Sequence, residues 1–243
     1  MRLIRLGLAV AGAALALAGV ATPVAAAATA PAGDPAAAEP MIIGGSRAGS
    51  GPWAARLFVN GRQTCTSTII APQYILTAKH CVSGSGTYTF RIGSLDQTSG
   101  GTMATGSTIT RSPSADLAIV KLTSSVNATY SPLGQSSDVR VGQSVQVYGW
   151  GATSRCGQEI NCQSQYLKYA NVSVTSVNCS DYAGGVAVCA RRGDGITAGG
   201  DSGGPMFASG KQVGVASTSD RSTTTAYTNI TRYRDWIRSV AGV

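Results

Sequence analysis

A serine set among glycines, Gly200-Asp201-Ser202-Gly203-Gly204-Pro205, is the stretch richest in chemical possibility. A seryl hydroxyl is a weak nucleophile until a base takes its proton and amide donors face the oxyanion it creates. Glycines at 200, 203 and 204 allow a tight turn and bring backbone N–H groups close to a bound carbonyl. The same six residues would also make an ordinary polar turn, so their partners decide. The usual base is histidine, and this chain has one, His80, in Leu76-Thr77-Ala78-Lys79-His80-Cys81. The acids between it and Ser202 are Asp96, Asp116, Asp138, Glu159, Asp181, Asp194 and Asp201. Most sit in polar turns and are expected to be solvated. Asp116 instead leads the apolar run Leu117-Ala118-Ile119-Val120-Lys121-Leu122. A carboxylate at the mouth of a core strand is costly unless paired or hydrogen-bonded, and an imidazole N–H is a suitable partner.

Order along the chain discriminates between hydrolase architectures. Gly200 to Gly204 also spells the Gly-x-Ser-x-Gly nucleophile elbow, but that arrangement runs serine, acid, histidine. Here the histidine comes first. Subtilisin-like order places the acid before the histidine; the acids before His80 are Asp34 and Glu39, both in an Ala- and Pro-rich leader. Histidine, acid, serine survives: His80, Asp116 and Ser202.

These residues need a scaffold, and 243 residues suffice for one large domain or two small ones. Charged residues are 12% of the chain and Gly numbers 31, which suits short strands joined by turns. The net charge is +8, but Lys and Arg are scattered, with Arg191-Arg192 the one adjacent pair. Nucleic-acid binding would want a basic stripe, so the charge reads as a solvated surface. Arg2 and Arg5, an apolar run from Leu6 to Ala21 and the tract Ala25 to Ala28 have the pattern of a secretory signal peptide over 1–28. An uncleaved membrane anchor is the alternative; the Ala-rich tract favours cleavage. Residues 29–41 read as a removable pro-segment. Six cysteines in an exported chain imply three disulfides. Fifteen pairings are open in principle; proximity favours Cys65–Cys81, Cys156–Cys162 and Cys179–Cys189. Zinc is disfavoured, because no Cys-x-x-Cys occurs and histidine is single.

Apolar segments at Trp53–Val59, Thr66–Ile70, Tyr74–Thr77, Tyr88–Ile92, Leu117–Leu122, Ser144–Tyr148 and Leu167–Val174 predict strands with barrel-like spacing. Ile230, Tyr233, Trp236, Ile237 and Val240 share one helical face, so a C-terminal helix should dock onto the preceding β-structure. A soft boundary lies near Ser131–Arg140.

Five motifs in order make the chain resemble the trypsin/chymotrypsin-like serine proteases: Ile42-Ile43-Gly44-Gly45, Thr77-Ala78-Lys79-His80-Cys81, Asp116-Leu117-Ala118-Ile119, Tyr148-Gly149-Trp150-Gly151 and Gly200-Asp201-Ser202-Gly203-Gly204-Pro205. The resemblance spans residue 42 to the C-terminus, and the Ala-rich leader and compact loops look like a secreted bacterial-type member. It implies an all-β fold of two packed antiparallel six-stranded Greek-key β-barrels with a C-terminal α-helix. The first barrel would span 42–135 with His80 and Asp116, the second 136–243 with Ser202. It implies a His80-Asp116-Ser202 triad, an oxyanion hole from the N–H groups of Gly200 and Ser202, and Ser217 hydrogen-bonded to the acid. It also implies that cleavage before Ile42 frees an amine that pairs with Asp201.

Departures fall on the substrate pocket. Where tryptic members carry an aspartate, six residues before the nucleophile, this chain has Ile196. Ala198 stands at one position of the family's pocket disulfide, Thr218 replaces a tryptophan, and Ser219 and Thr225 match wall glycines. Ile196, Thr197, Ser217, Thr218, Ser219 and Thr225 form the expected pocket, which favours small or medium apolar side chains. Tryptic specificity, through Asp194 or Asp220, is the alternative; an esterase with the same site and a non-catalytic secreted binding module are others. Lys79 should snorkel to solvent. No metal or cofactor is implied, since the family's calcium loop would hold Asp96 alone. Expected partners are protein or peptide substrates and proteinaceous inhibitors, with no nucleic acid and, after signal cleavage, no membrane; the protein should be a secreted monomer.

Overall fold

The computed structural model describes residues 42–243. The signal peptide and the pro-segment expected over 1–41 lie outside the described residues. Six strands form a first closed barrel: β1 (Ala54–Val59), β2 (Arg62–Ala71), β3 (Tyr74–Thr77), β4 (Tyr88–Ile92), β5 (Thr102–Arg111) and β6 (Ala118–Leu122). Their order is β1-β2-β3-β6-β5-β4, and β4 returns to pair with β1. Six more form a second: β7 (Ser144–Gly149), β8 (Lys168–Ser180), β9 (Val186–Arg192), β10 (Pro205–Ala208), β11 (Lys211–Ser219) and β12 (Thr224–Asn229). The order β9-β12-β11-β10-β7-β8 closes through β8–β9, and Ser46–Arg47 adds to the edge of β8. Every barrel pairing is antiparallel, as the Greek-key expectation required.

Local chemistry accounts for the hairpins. Asn60 and Gly61 join β1 to β2 with φ of 51° and 77°, and Ser209 and Gly210 join β10 to β11 at 50° and 78°. Two consecutive left-handed residues give the turn whose twist matches the flanking strands. Along β4, Tyr88, Phe90 and Ile92 are buried while Thr89 and Arg91 are half-exposed, the two-residue period of a strand with one face on the core.

Leu57, Ile69, Ile75, Leu76, Phe90 and Val120 fill the first barrel; Val145, Val147, Val172, Val188, Met206 and Tyr227 fill the second, with Ile42 among them. Helix α1 (Arg234–Ala241) follows a 3-10 turn at Ile230–Arg232. Ile230, Ile237, Trp236 and Val240 pack on the core of the first barrel. The helix therefore docks onto preceding β-structure, as expected, but onto the first barrel and not the second barrel that adjoins it in sequence. Its last turn ends at Gly242 in the left-handed region. Among the described residues no helix is long and apolar enough to cross a membrane.

Candidate active site

His80 lies in the 3-10 turn Lys79–Val82, directly after β3. The Cys65–Cys81 disulfide ties that turn to β2. Cys156–Cys162 and Cys179–Cys189 complete the three bridges. Asp116 stands two residues before β6. Its Oδ2 is 2.7 Å from His80 Nδ1, and its Oδ1 accepts the His80 backbone N–H at 3.0 Å. Ser217 Oγ donates to the same Oδ2 at 2.6 Å. Burial pushes the Asp116 carboxyl up, but the hydrogen bond and charge of His80 and the bond from Ser217 outweigh it, and the net direction is down. Asp116 is 1% exposed and the His80 side chain 31%, so the imidazole joins a sealed carboxylate to an open site.

Ser202 sits in the loop before β10, and its carbonyl accepts the Thr66 N–H from the first barrel at 2.9 Å. His80, Ser202, Gly199 and Ser217 line one cavity of about 280 Å³. Among the described residues, the N–H groups of Gly200 and Ser202 meet no acceptor within the protein. Gly200 has φ +102°, a conformation favouring glycine, and a Cβ there would strike the Gln163 side chain.

Asp201 is fully buried, receiving Gly151 N–H at 2.6 Å and Ala198 N–H at 2.9 Å. Burial raises its carboxyl to about 6; those two N–H groups and the charges of Arg56 and Lys168 pull the other way. A side chain at Gly151 would enter this carboxylate. Ile42 is also fully buried.

Of the expected pocket residues, Thr197, Ser217, Thr218 and Ser219 line the cavity. Ile196 and Thr225 do not. Ile196 is fully buried and pairs with Ile43 in a two-stranded ladder (Ile43–Gly44 with Gly195–Ile196). Thr225 is 3% exposed; its Oγ1 lies 2.7 Å from Thr197 Oγ1 and reaches Thr218 O at 3.2 Å. It props the wall from behind. Asp194 accepts Asn171 N–H at 2.7 Å and its side-chain amide at 2.5 Å, while Asp220 accepts the N–H groups of Ser222, Thr223 and Thr224. Neither lines the cavity. Lys79 Nζ donates to Ser112 O at 3.0 Å rather than reaching free into solvent.

Asp181 was expected to be a solvated turn acid and is instead 6% exposed. Its Oδ2 accepts Asp116 N–H at 2.9 Å and the Thr228 hydroxyl at 2.8 Å; its Oδ1 accepts the N–H groups of Ala183 and Gly185. Tyr182, 75% exposed, meets the His80 ring edge-on at 6.1 Å. Arg221 also lines the cavity, with its Nε 2.6 Å from Glu159 Oε1, and Glu159 Oε2 accepts Gly199 N–H at 2.7 Å. No local sequence pattern marks Tyr182, Arg221 or Glu159 as site residues.

Residues 42–237 match the family model Trypsin. Two antiparallel barrels meeting at this constellation define a trypsin-like serine protease fold, and the chain belongs to that family. Among curated relatives, Achelase-1 of Lonomia achelous is 31% identical over 82% of this chain and 100% of its own length. Brachyurin of Leptuca pugilator is 29% identical over 83% and 99%. Of solved structures, a mutant of human heparin binding protein has a TM-score of 0.72 at 25% identity, covering 82% of this chain and 96% of that one. An inactivated protease paralogue of the scabies mite shares the fold alone, with TM-score 0.72 at 22% identity over 82% and 97%. These insect and crustacean relatives lend no support to the expectation of a bacterial-type member.

Proposed function

We propose that this protein is a secreted serine endopeptidase acting on proteins or peptides through a His80-Asp116-Ser202 triad. One observation carries the reading: the Asp116-bound imidazole of His80 and Ser202 line a single cavity, beside a turn in which, among the described residues, the N–H groups of Gly200 and Ser202 meet no acceptor. Ser202 Oγ adds to the scissile carbonyl while His80 takes its proton. The N–H groups of Gly200 and Ser202 hold the oxyanion. Collapse of the tetrahedral adduct expels the amine, which receives that proton, and water repeats the sequence on the acyl-enzyme. Asp116 keeps the imidazole in the tautomer whose other nitrogen faces Ser202 and stabilises its cation.

Activation by cleavage before Ile42 is part of this proposal. Ile42 has φ +34°. That conformation lies in the left-handed region and is costly for a β-branched residue. Cleavage would free the Ile42 amine, for which the buried carboxylate of Asp201 is the proposed partner.

A preference for small or medium apolar residues is supported by the lack, among the described residues, of an available carboxylate on the cavity wall. Asp201 there is already capped by two N–H groups, and Asp194 and Asp220 lie elsewhere. The hydroxyls of Thr197 and Thr225 are hydrogen-bonded to each other, and that of Thr225 also to Thr218 O. The competing reading, a non-catalytic binding module, draws on the inactivated paralogue that shares the fold. Labelling of processed protein by a serine-directed phosphonylating reagent separates them. Modification at Ser202, abolished by His80→Ala, is the expected result; an unlabelled protein would favour the binding module. Peptide-library cleavage tests specificity, and a strong Arg or Lys preference would overturn the apolar assignment.

A further inference from the structure

The serine-protease reading leaves a buried cation unused. Arg56, on β1, is 0% exposed in a barrel wall otherwise made of Ala54, Ala55 and Leu57. Burying a guanidinium costs several kcal/mol unless its donors are met. They are met across the molecule. Nε donates to Gln97 Oε1 at 2.9 Å, Nη1 to the carbonyls of Cys65 and Gly200, each at 3.2 Å, and Nη2 to Gln163 Oε1. The guanidinium also faces the Trp150 ring at 5.9 Å. Burial pushes it down to about 9, which still leaves it charged at neutral pH.

Two of these contacts, Gly200 O and Gln163, meet at one glycine. A guanidinium can only donate, so Gln163 must turn its oxygen to Arg56 and its amide nitrogen the other way. That nitrogen lies 3.4 Å from Gly199 O, which also accepts Ala152 N–H at 2.8 Å. In a trans peptide the carbonyl and the N–H point in opposite directions. Holding Gly199 O toward Ala152 and Gln163 therefore aims the Gly200 N–H away from them. The next peptide is held by its own carbonyl: Gly200 O accepts both Arg56 Nη1 and Thr66 Oγ1, the latter at 2.9 Å.

We infer that Arg56 is a positioning residue for the oxyanion donor. From the first barrel it grips Gly200 O directly and Gly199 O through Gln163, setting the two peptide planes that flank the Gly200 Cα. A catalytic loop rich in glycine is conformationally free, and a preorganised donor needs that freedom removed. This rests on the protease reading above.

The test is steady-state kinetics of Arg56→Met, Arg56→Lys and Gln163→Met in processed enzyme, with labelling of Ser202 and thermal unfolding measured in parallel. Arg56→Met should lower kcat by about 10²–10³-fold, the scale of losing one oxyanion donor. KM should move by less than about threefold, since the loss falls on the transition state. A peptide boronate, which mimics the adduct, should lose affinity in parallel with kcat/KM. Arg56→Lys should recover only a small part, because an ammonium cannot span Gly200 O and Gln163 together. Gln163→Met should cost about tenfold in kcat, being one indirect contact. A folded Arg56→Met with kcat within about twofold of the parent, or full rescue by lysine, would overturn the inference. If Arg56→Met cannot be obtained folded, an unchanged kcat in Gln163→Met overturns it instead. A parent enzyme that Ser202-directed reagents fail to label sinks the protease reading and this inference together; a labelled parent with equally active variants sinks only this one.

Discussion

Asp116 pays a desolvation cost and is compensated by donors from both barrels: His80 from the first, Ser217 from the second. Its depressed pKa means that the stability it lends is complete above the unfolded carboxylate value near 4 and is lost as pH falls through the lower folded one. Asp116→Asn keeps the shape but offers an amide where the imidazole needs an acceptor. We expect kcat to drop by about 10⁴-fold, the scale of a misset tautomer, with little change in KM; stopped-flow acylation of Ser202 would report it. Asp181 acts one step further out. Asp181→Ala strands the buried N–H of Asp116 and should destabilise the fold by about 1–3 kcal/mol in urea titration, lowering kcat as Asp116 loosens. Asp116 was legible because it opens an apolar run. Asp181 was not, since Ser180-Asp181-Tyr182 looks like any polar turn, and its burial comes from Thr228 and Gly185 folding over it.

At the scale of elements, the strands that alternate or run apolar could be read directly: Tyr74–Thr77 and Tyr88–Ile92 coincide with β3 and β4. Strand β5 escaped because its Thr- and Ser-rich residues are mostly exposed, and pairing on both edges makes the strand. Strands β9, β11 and β12 escaped because their many small and polar residues carry little periodicity while their surroundings bury them, and β10 because it is a four-residue apolar run that opens on a proline. The Cys65–Cys81 bridge closes a loop of separation 16 and clamps the turn bearing His80. Replacing both cysteines by serine should cost about 3 kcal/mol by chain entropy, seen as a lowered Tm, with kcat falling as the imidazole gains freedom. Ile237 anchors α1 in the first barrel's core while the chain beside it belongs to the second. Ile237→Ala should cost about 2–5 kcal/mol, the range for emptying a core site. Denaturant unfolding that showed no change would mean the helix is dispensable.

Across the whole molecule, the proposed processing predicts a pH dependence of stability through Asp201. In the uncleaved chain its carboxyl titrates near 6, chiefly because it is buried. The folded state then keeps a proton that the unfolded chain releases near 4, so stability should fall by about 3 kcal/mol as pH rises from about 4 to about 6 and stay flat above. Cleavage before Ile42 would supply an ammonium partner and lower that pKa, so the fall should vanish. The paired amine, its own pK raised, would instead lose its contribution as pH climbs through the raised value. Urea unfolding of both forms in a Ser202→Ala background, which prevents self-digestion, checks this; identical pH profiles would refute the pairing. The amino-acid sequence by itself determined the reacting types and their order, because a single histidine and the His-acid-Ser sequence left one architecture standing. It also favoured the three bridge pairs, each close in the chain, which the structure then forms. Tertiary structure alone decided which polar residues are hidden and what they face. Ile196 and Thr225 left the pocket wall, Asp181 moved behind Asp116, and Arg56 reached Gly200 from the other barrel. Burial and long-range hydrogen bonding depend on contacts between residues as far apart in sequence as 56 and 200, and no local pattern records those.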